Sequence, residues 1–134
     1  MSRKISRELG MKMVYQMDMT KEYTNEKIEE FIEEHSHENF DSQYLVDLGN
    51  IVIENKEDID SIISTHSTKW KINRIAKVDL SILRVAIAEI KYMDNVPFKV
   101  AINEGIELAK RYSDDESTKF INGLLGSAIN DIEK

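Results

Sequence analysis

The chain has no cysteine, one proline and five glycines among 134 residues. Without cysteine there is no disulfide framework, no thiolate zinc site and no cysteine nucleophile. So little proline and glycine argues against an all-β fold, because strands in a chain of this length need more turn residues. Long apolar runs are missing too. Stretches such as Val85-Ala86-Ile87-Ala88 stop far short of the roughly 20 residues that span a bilayer. The start, Met1-Ser2-Arg3-Lys4, is basic but leads into no apolar segment of the kind a signal peptide has. The expectation is a soluble, cytoplasmic protein of one domain, long enough to bury a core without covalent or metal staples.

What the chain does have is charge. Charged residues make up 32% and hydrophobic ones 41%, a mix that suits amphipathic helices. The net charge of −7 argues against general coating of nucleic acid, yet it is unevenly spread. Residues 1–21 carry five basic and two acidic groups, residues 22–60 two basic and thirteen acidic, and residues 61–134 eleven basic and ten acidic. The acidity therefore sits in one segment, and the N-terminus is locally positive.

Apolar spacing predicts about seven helices and no strands. Ile5, Leu9, Met13 and Met17 recur every four residues along one side of a first helix over 3–19. Arg3, Arg7 and Met11 fall on roughly the opposite side. Thr24 is placed to cap a second helix carrying Ile28, Phe31 and Ile32. A third carries Tyr44, Leu45, Leu48, Ile51 and Val52, and a shorter one follows with Ile59, Ile62 and Ile63. After a turn at residues 70–74, the helix over 80–93 has two apolar stripes, Leu83, Ala86, Ile87, Ile90 and Val85, Ala88, Tyr92. Two stripes mean packing on both sides, so this helix should be central, joining an N-terminal and a C-terminal layer. Pro97 stands at the start of the next helix, where Ala101, Gly105 and Ala109 form a row of small residues that admits a close neighbour. Ser113-Asp114-Asp115-Glu116 gives the last helix a capped, acidic start, followed by Phe120, Ile121, Leu124, Leu125, Ala128 and Ile132.

No catalytic constellation can be assembled. Glu34-x-x-His37 resembles half of a carboxylate-bridged di-metal motif, but a second Glu-x-x-His on another helix is required and none occurs. Gly123 and Gly126 lie inside a helical pattern and match no phosphate loop. The expectation is no enzyme, no metal and no cofactor; His66 stands alone. Arg3, Lys4 and Arg7 fall within about one turn, and guanidinium groups pair with phosphates and stack on unpaired bases. The same residues could simply solubilise an exposed face. Phe120 reads as core, or as a ring at a surface where a base stacks.

Longer motifs narrow these alternatives. Pro97-Phe98-Lys99-Val100-Ala101-Ile102-Asn103-Glu104-Gly105-Ile106-Glu107-Leu108-Ala109-Lys110 and Lys119-Phe120-Ile121-Asn122-Gly123-Leu124-Leu125 closely resemble the signature of the NusB family of bacterial transcription antitermination factors. Trp70, Arg74, Val78-Asp79, Ile82-Leu83-Arg84-Val85-Ala86 and Glu89 resemble its central segment. Arg3-Lys4, Arg7-Glu8 and Tyr15-Gln16 resemble its arginine-rich first helix. The likeness covers nearly the whole chain, most strongly 70–125 and least the acidic 22–66.

The resemblance implies an all-α fold of two small packed bundles, about 1–66 and 67–134, making up one RNA-binding domain. It implies binding to single-stranded boxA RNA jointly with the ribosomal protein NusE, in an antitermination complex with RNA polymerase and other Nus factors. It places Arg3, Lys4, Arg7, Glu116, Lys119 and Phe120 against RNA, and Tyr15 and Asp79 against NusE. On that basis charge reversal at Arg7 should weaken RNA binding and leave the fold intact. Three positions depart from the pattern: Ile5 where a third basic residue is common, Gly105 where alanine is usual, and Gly126 where aspartate often stands. One basic contact fewer should reduce the salt dependence of binding. The competing reading is a protein-interaction module whose acidic 22–60 face takes a basic partner without RNA.

Overall fold

The computed structural model describes residues 2–132. Within them are six α-helices and one short 3₁₀ turn, with no strand: α1 (Arg3–Thr20), α2 (Asn25–Glu34), α3 (Ser42–His66), the turn Ile72–Arg74, α4 (Lys77–Tyr92), α5 (Phe98–Tyr112) and α6 (Asp115–Ala128). The expected third and fourth helices are one. Asn55 leaves helical geometry (φ −123°, ψ 21°), and its side-chain amide donates to the Ile51 carbonyl at 3.0 Å. That bond serves a carbonyl inside the bend, so the helix turns without ending.

The capping residues act as their types require. Ser2 Oγ accepts from the Ile5 amide, Thr24 Oγ1 from Lys27 and Asp114 Oδ1 from Ser117 at 2.8 Å. Lys21 ends α1 in the left-handed conformation (φ 59°). Helix α6 stops at Ala128, so Ile132, expected on that helix, enters the core from the turn beyond it.

Helix α4 is the centre. Every residue from Asp79 to Ile90 is buried, and α1, α3, α5 and α6 all pack on it. Its burial on all sides matches its two apolar stripes. One hydrophobic cluster runs from Leu9, Met13 and Met17 through Leu45 and Leu48 to Ile82, Leu83 and Ile87, and on to Ile121 and Leu125. The small-residue row of α5 faces inward, and a Cβ on Gly105 would meet Ile82, Leu125 and Ala86 at 3.6–3.8 Å, ordinary contact distances. Tighter approaches occur elsewhere. A Cβ on Gly10 would lie 2.6 Å from Leu48 Cδ2, and one on Gly49 2.4 Å from Ile28 Cδ1. Glycine is what lets α1 and α2 come this close to α3.

Helix α1 is more deeply embedded than its apolar spacing suggests. It packs against both α3 and α4, so the stripe of Arg7 and Met11 is buried along with that of Leu9 and Met13, while Ile5 is 38% exposed. Arg7 therefore lies on the core side, contrary to the expectation from periodicity. Among the described residues no helix is long and apolar enough to cross a membrane.

Candidate functional site

The six residues placed against RNA divide into two groups. The first is the start of α1. Arg3 is exposed; its Nη2 lies 3.8 Å from Asp41 Oδ2 and its guanidinium sits 4.7 Å from the centre of the Tyr44 ring. Lys4, with 73% of its side chain exposed, approaches Glu104 Oε2 at 3.7 Å.

Arg7 is different. Its side chain is 8% exposed against 1% for Glu89. Nε donates to both Glu89 oxygens at 2.9 and 3.0 Å, and Nη1 lies 3.6 Å from Glu104 Oε1. Tyr44 completes the unit by donating its hydroxyl to Glu89 Oε2 at 2.7 Å. Burial first, and then the negative charge of Glu89, hold the Tyr44 phenol well above its ordinary pKa, so it stays a donor. A buried carboxylate with an arginine and a tyrosine on it is a satisfied charge pair. Arg7 thus fixes α1 to α4 and shapes the surface from beneath.

The second group lies at the start of α6. Glu116 and Lys119 are exposed, and Phe120 is half-buried against the core. Together with His66, Thr68, Lys69, Gly123, Leu124 and Ser127 they line an open groove of about 460 Å³. Lys69 Nζ reaches Glu116 Oε1 at 2.6 Å. His66 has partners: Nδ1 pairs with Ser127 Oγ at 2.7 Å and Nε2 with Asp131 Oδ2 at 2.6 Å. It ties the end of α3 to the end of α6 and forms one wall of the groove, a role its isolation in the sequence concealed.

The two residues placed against the ribosomal protein also part company. Tyr15 is half-buried and lines an apolar groove with Met11, Lys12, Val78, Ser81 and Tyr112. Asp79 is buried, and its two oxygens accept from Ser113 Oγ at 2.8 Å and Ser117 Oγ at 2.6 Å. That carboxylate clasps the end of α5 and the first turn of α6 to the start of α4, so it supports a surface and is not itself presented on it.

The segment 33–38 forms a helix end. His35 stacks on Phe31 with ring centres 4.0 Å apart, and its Nδ1 lies 2.9 Å from the Phe31 carbonyl oxygen. Glu34 and His37 are exposed. Among the described residues no three histidine or acidic side chains are grouped to hold a metal ion.

These features define an all-helical protein organised on one buried central helix, with a cationic helix start and an open, aromatic-floored groove at its surface. The NusB family model matches residues 4–130, and the chain belongs to the NusB family. The transcription antitermination protein NusB of Alkaliphilus oremlandii is 47% identical over 129 residues, covering 96% of this chain and 94% of that one. Thermotoga maritima NusB has a similar structure, with a TM-score of 0.85 at 30% identity over 97% of this chain and 92% of that one. A crystal structure of the antitermination factors NusB and NusE in complex with double-stranded RNA contains a chain with a TM-score of 0.84 at 28% identity, covering 96% of each.

Proposed function

We propose that this chain is a transcription antitermination factor that binds a short single-stranded boxA element of RNA jointly with the ribosomal protein NusE, and that it catalyses no reaction. The observation that carries the RNA and NusE part of this reading is the likeness, over 96% of the chain, to a NusB solved with NusE and double-stranded RNA. In the cytoplasm the pair would load RNA into a complex with RNA polymerase and other Nus factors.

The geometry supports a division of labour. Arg3 and Lys4 offer exposed cations to phosphates, and Arg7 holds the helix that presents them. Lys119 supplies a cation at the second group, Phe120 an aromatic floor for an unpaired base, and Glu116 an acceptor for a base amino group. Tyr15, with the apolar groove around it, contacts NusE, and Asp79 holds the adjoining turn in place. In this reading the bundle of about 1–66 and that of about 67–134 each contribute one group to the RNA surface. The acidic remainder discourages indiscriminate binding.

Fluorescence anisotropy tests the proposal with a labelled boxA RNA, a scrambled single strand and a duplex of the same sequence. The titrations are run with and without NusE at two salt concentrations. Preference for boxA that NusE strengthens is the expected result. Equal, weak binding to all three RNAs with NusE still captured would leave only the protein-interaction module.

A further inference from the structure

The loop between α3 and the 3₁₀ turn carries the one tryptophan of the chain. Trp70 is 44% exposed, so the fold forgoes much of the stabilisation that burying an indole would give. It is nonetheless held in place. Ser67 Oγ donates to its carbonyl oxygen, and Lys69 Nζ lies 5.5 Å from the centre of its ring. The same Lys69 Nζ reaches Glu116 Oε1 at 2.6 Å and lines the groove floored by Phe120. An exposed indole with an ammonium over its ring is thereby tied, through that one group, to the first turn of α6.

An exposed aromatic face beside a cation suits single-stranded nucleic acid, where the ring stacks on a base and the cation meets the adjoining phosphate. We propose that Trp70 and Lys69 form a stacking platform for one unpaired base of RNA at the mouth of the Phe120 groove. Glu116 holds Lys69 until a phosphate takes the carboxylate's place. The inference rests on the RNA-binding reading of this groove, and it adds a contact on a different segment of the chain.

Because Trp70 is the only indole, its emission reports the contact directly. The chain is titrated with unlabelled boxA oligoribonucleotide while indole emission is followed, and with labelled oligonucleotide for anisotropy. Quenching that tracks anisotropy is the expected result. Trp70→Ala should lower affinity roughly 5- to 150-fold, Trp70→Phe should keep most of it, and the thermal melt should be unchanged in both. RNA binding with unaltered emission and unchanged affinity of Trp70→Ala would overturn the platform and leave the RNA reading standing. Absence of any RNA binding would overturn both. A change in emission with NusE alone, and none with RNA, would assign Trp70 to a protein contact and overturn the platform.

Discussion

The start of α1 and the start of α6 both carry basic residues, yet they use them in opposite ways. At α1 only Arg7 is engaged from within, on Glu89, while Lys4 and Arg3 stay exposed with Glu104 and Asp41 nearby. Nearby Glu8 accepts from both Arg111 and Tyr112. At α6, Lys119 is exposed beside an aromatic groove. The richer cluster in the sequence therefore yields fewer free charges than its count suggests, because Arg7 is withdrawn into the core. A count of arginines measures binding potential only after the carboxylates folded against them are subtracted.

The most severe way to break this comparison is Arg7→Glu. Two carboxylates would then share a buried site, and the expected loss is about 3–5 kcal/mol of stability, read from urea or thermal unfolding. Weakened RNA binding with an unchanged melt would instead return Arg7 to the exposed role its spacing suggested.

The far end of α1 repeats the clamp with reversed polarity. Asp18 and Arg84 are both buried, 3.4 Å apart, and Arg84 also holds Asp60 through two hydrogen bonds of 2.8 and 3.0 Å. Burial pushes the Asp18 carboxyl up. The Tyr23 hydroxyl and the charges of Arg84, Lys77 and Lys21 outweigh it, leaving a pKa of about 2 against an ordinary 3.8. A carboxyl depressed on folding stabilises above its unfolded pKa, and that contribution is lost as pH falls from about 4 towards 2. Asp18→Asn should cost on the order of 2 kcal/mol at neutral pH and flatten this acid limb, measured by unfolding across that range.

Salt dependence sharpens the contrast without touching the core. Lys119→Ala should lower the slope of log affinity against log salt by about 0.7, the value for one single-strand phosphate contact. Lys4→Ala should lower it by less, since Glu104 already partly compensates the charge. Equal slopes would show that the α1 cations are as available as the α6 one. The smallest effect is expected at Gly105→Ala, where the added methyl fits at 3.6 Å. It should stabilise α5 by about 0.5–1 kcal/mol and leave RNA affinity unchanged.

Local features were legible in the sequence, and long-range ones were not. Thr24 capped the helix it was expected to cap, Asp114 is the capping member of the run 113–116, and the two stripes of α4 announced a helix packed on both sides. The bend at Asn55 was read as a break, although the seven-residue step from Val52 to Ile59 is two helical turns and fits one continuous helix. Arg7 and His66 were misread for a different reason. Their partners lie 82 residues away at Glu89 and 61 at Ser127, and no periodicity signals a contact across such a span. The burial of Asp79 was hidden likewise, because its two serines, at the end of α5 and in the first turn of α6, lie more than thirty residues further on.

The lateness of α4 along the chain has a consequence for how the protein is made. The apolar faces of α1 and α3 are complete by residue 66, but the helix that covers them ends only at Tyr92. At about 5–20 residues per second, roughly one to five seconds of synthesis separate the two. During that interval Met13, Met17, Leu45 and Leu48 have nothing from α4 to rest on, and the nascent chain is a client for whatever shelters greasy segments at the ribosome. A chain halted at residue 66 should bind a hydrophobic dye that the longer chain excludes.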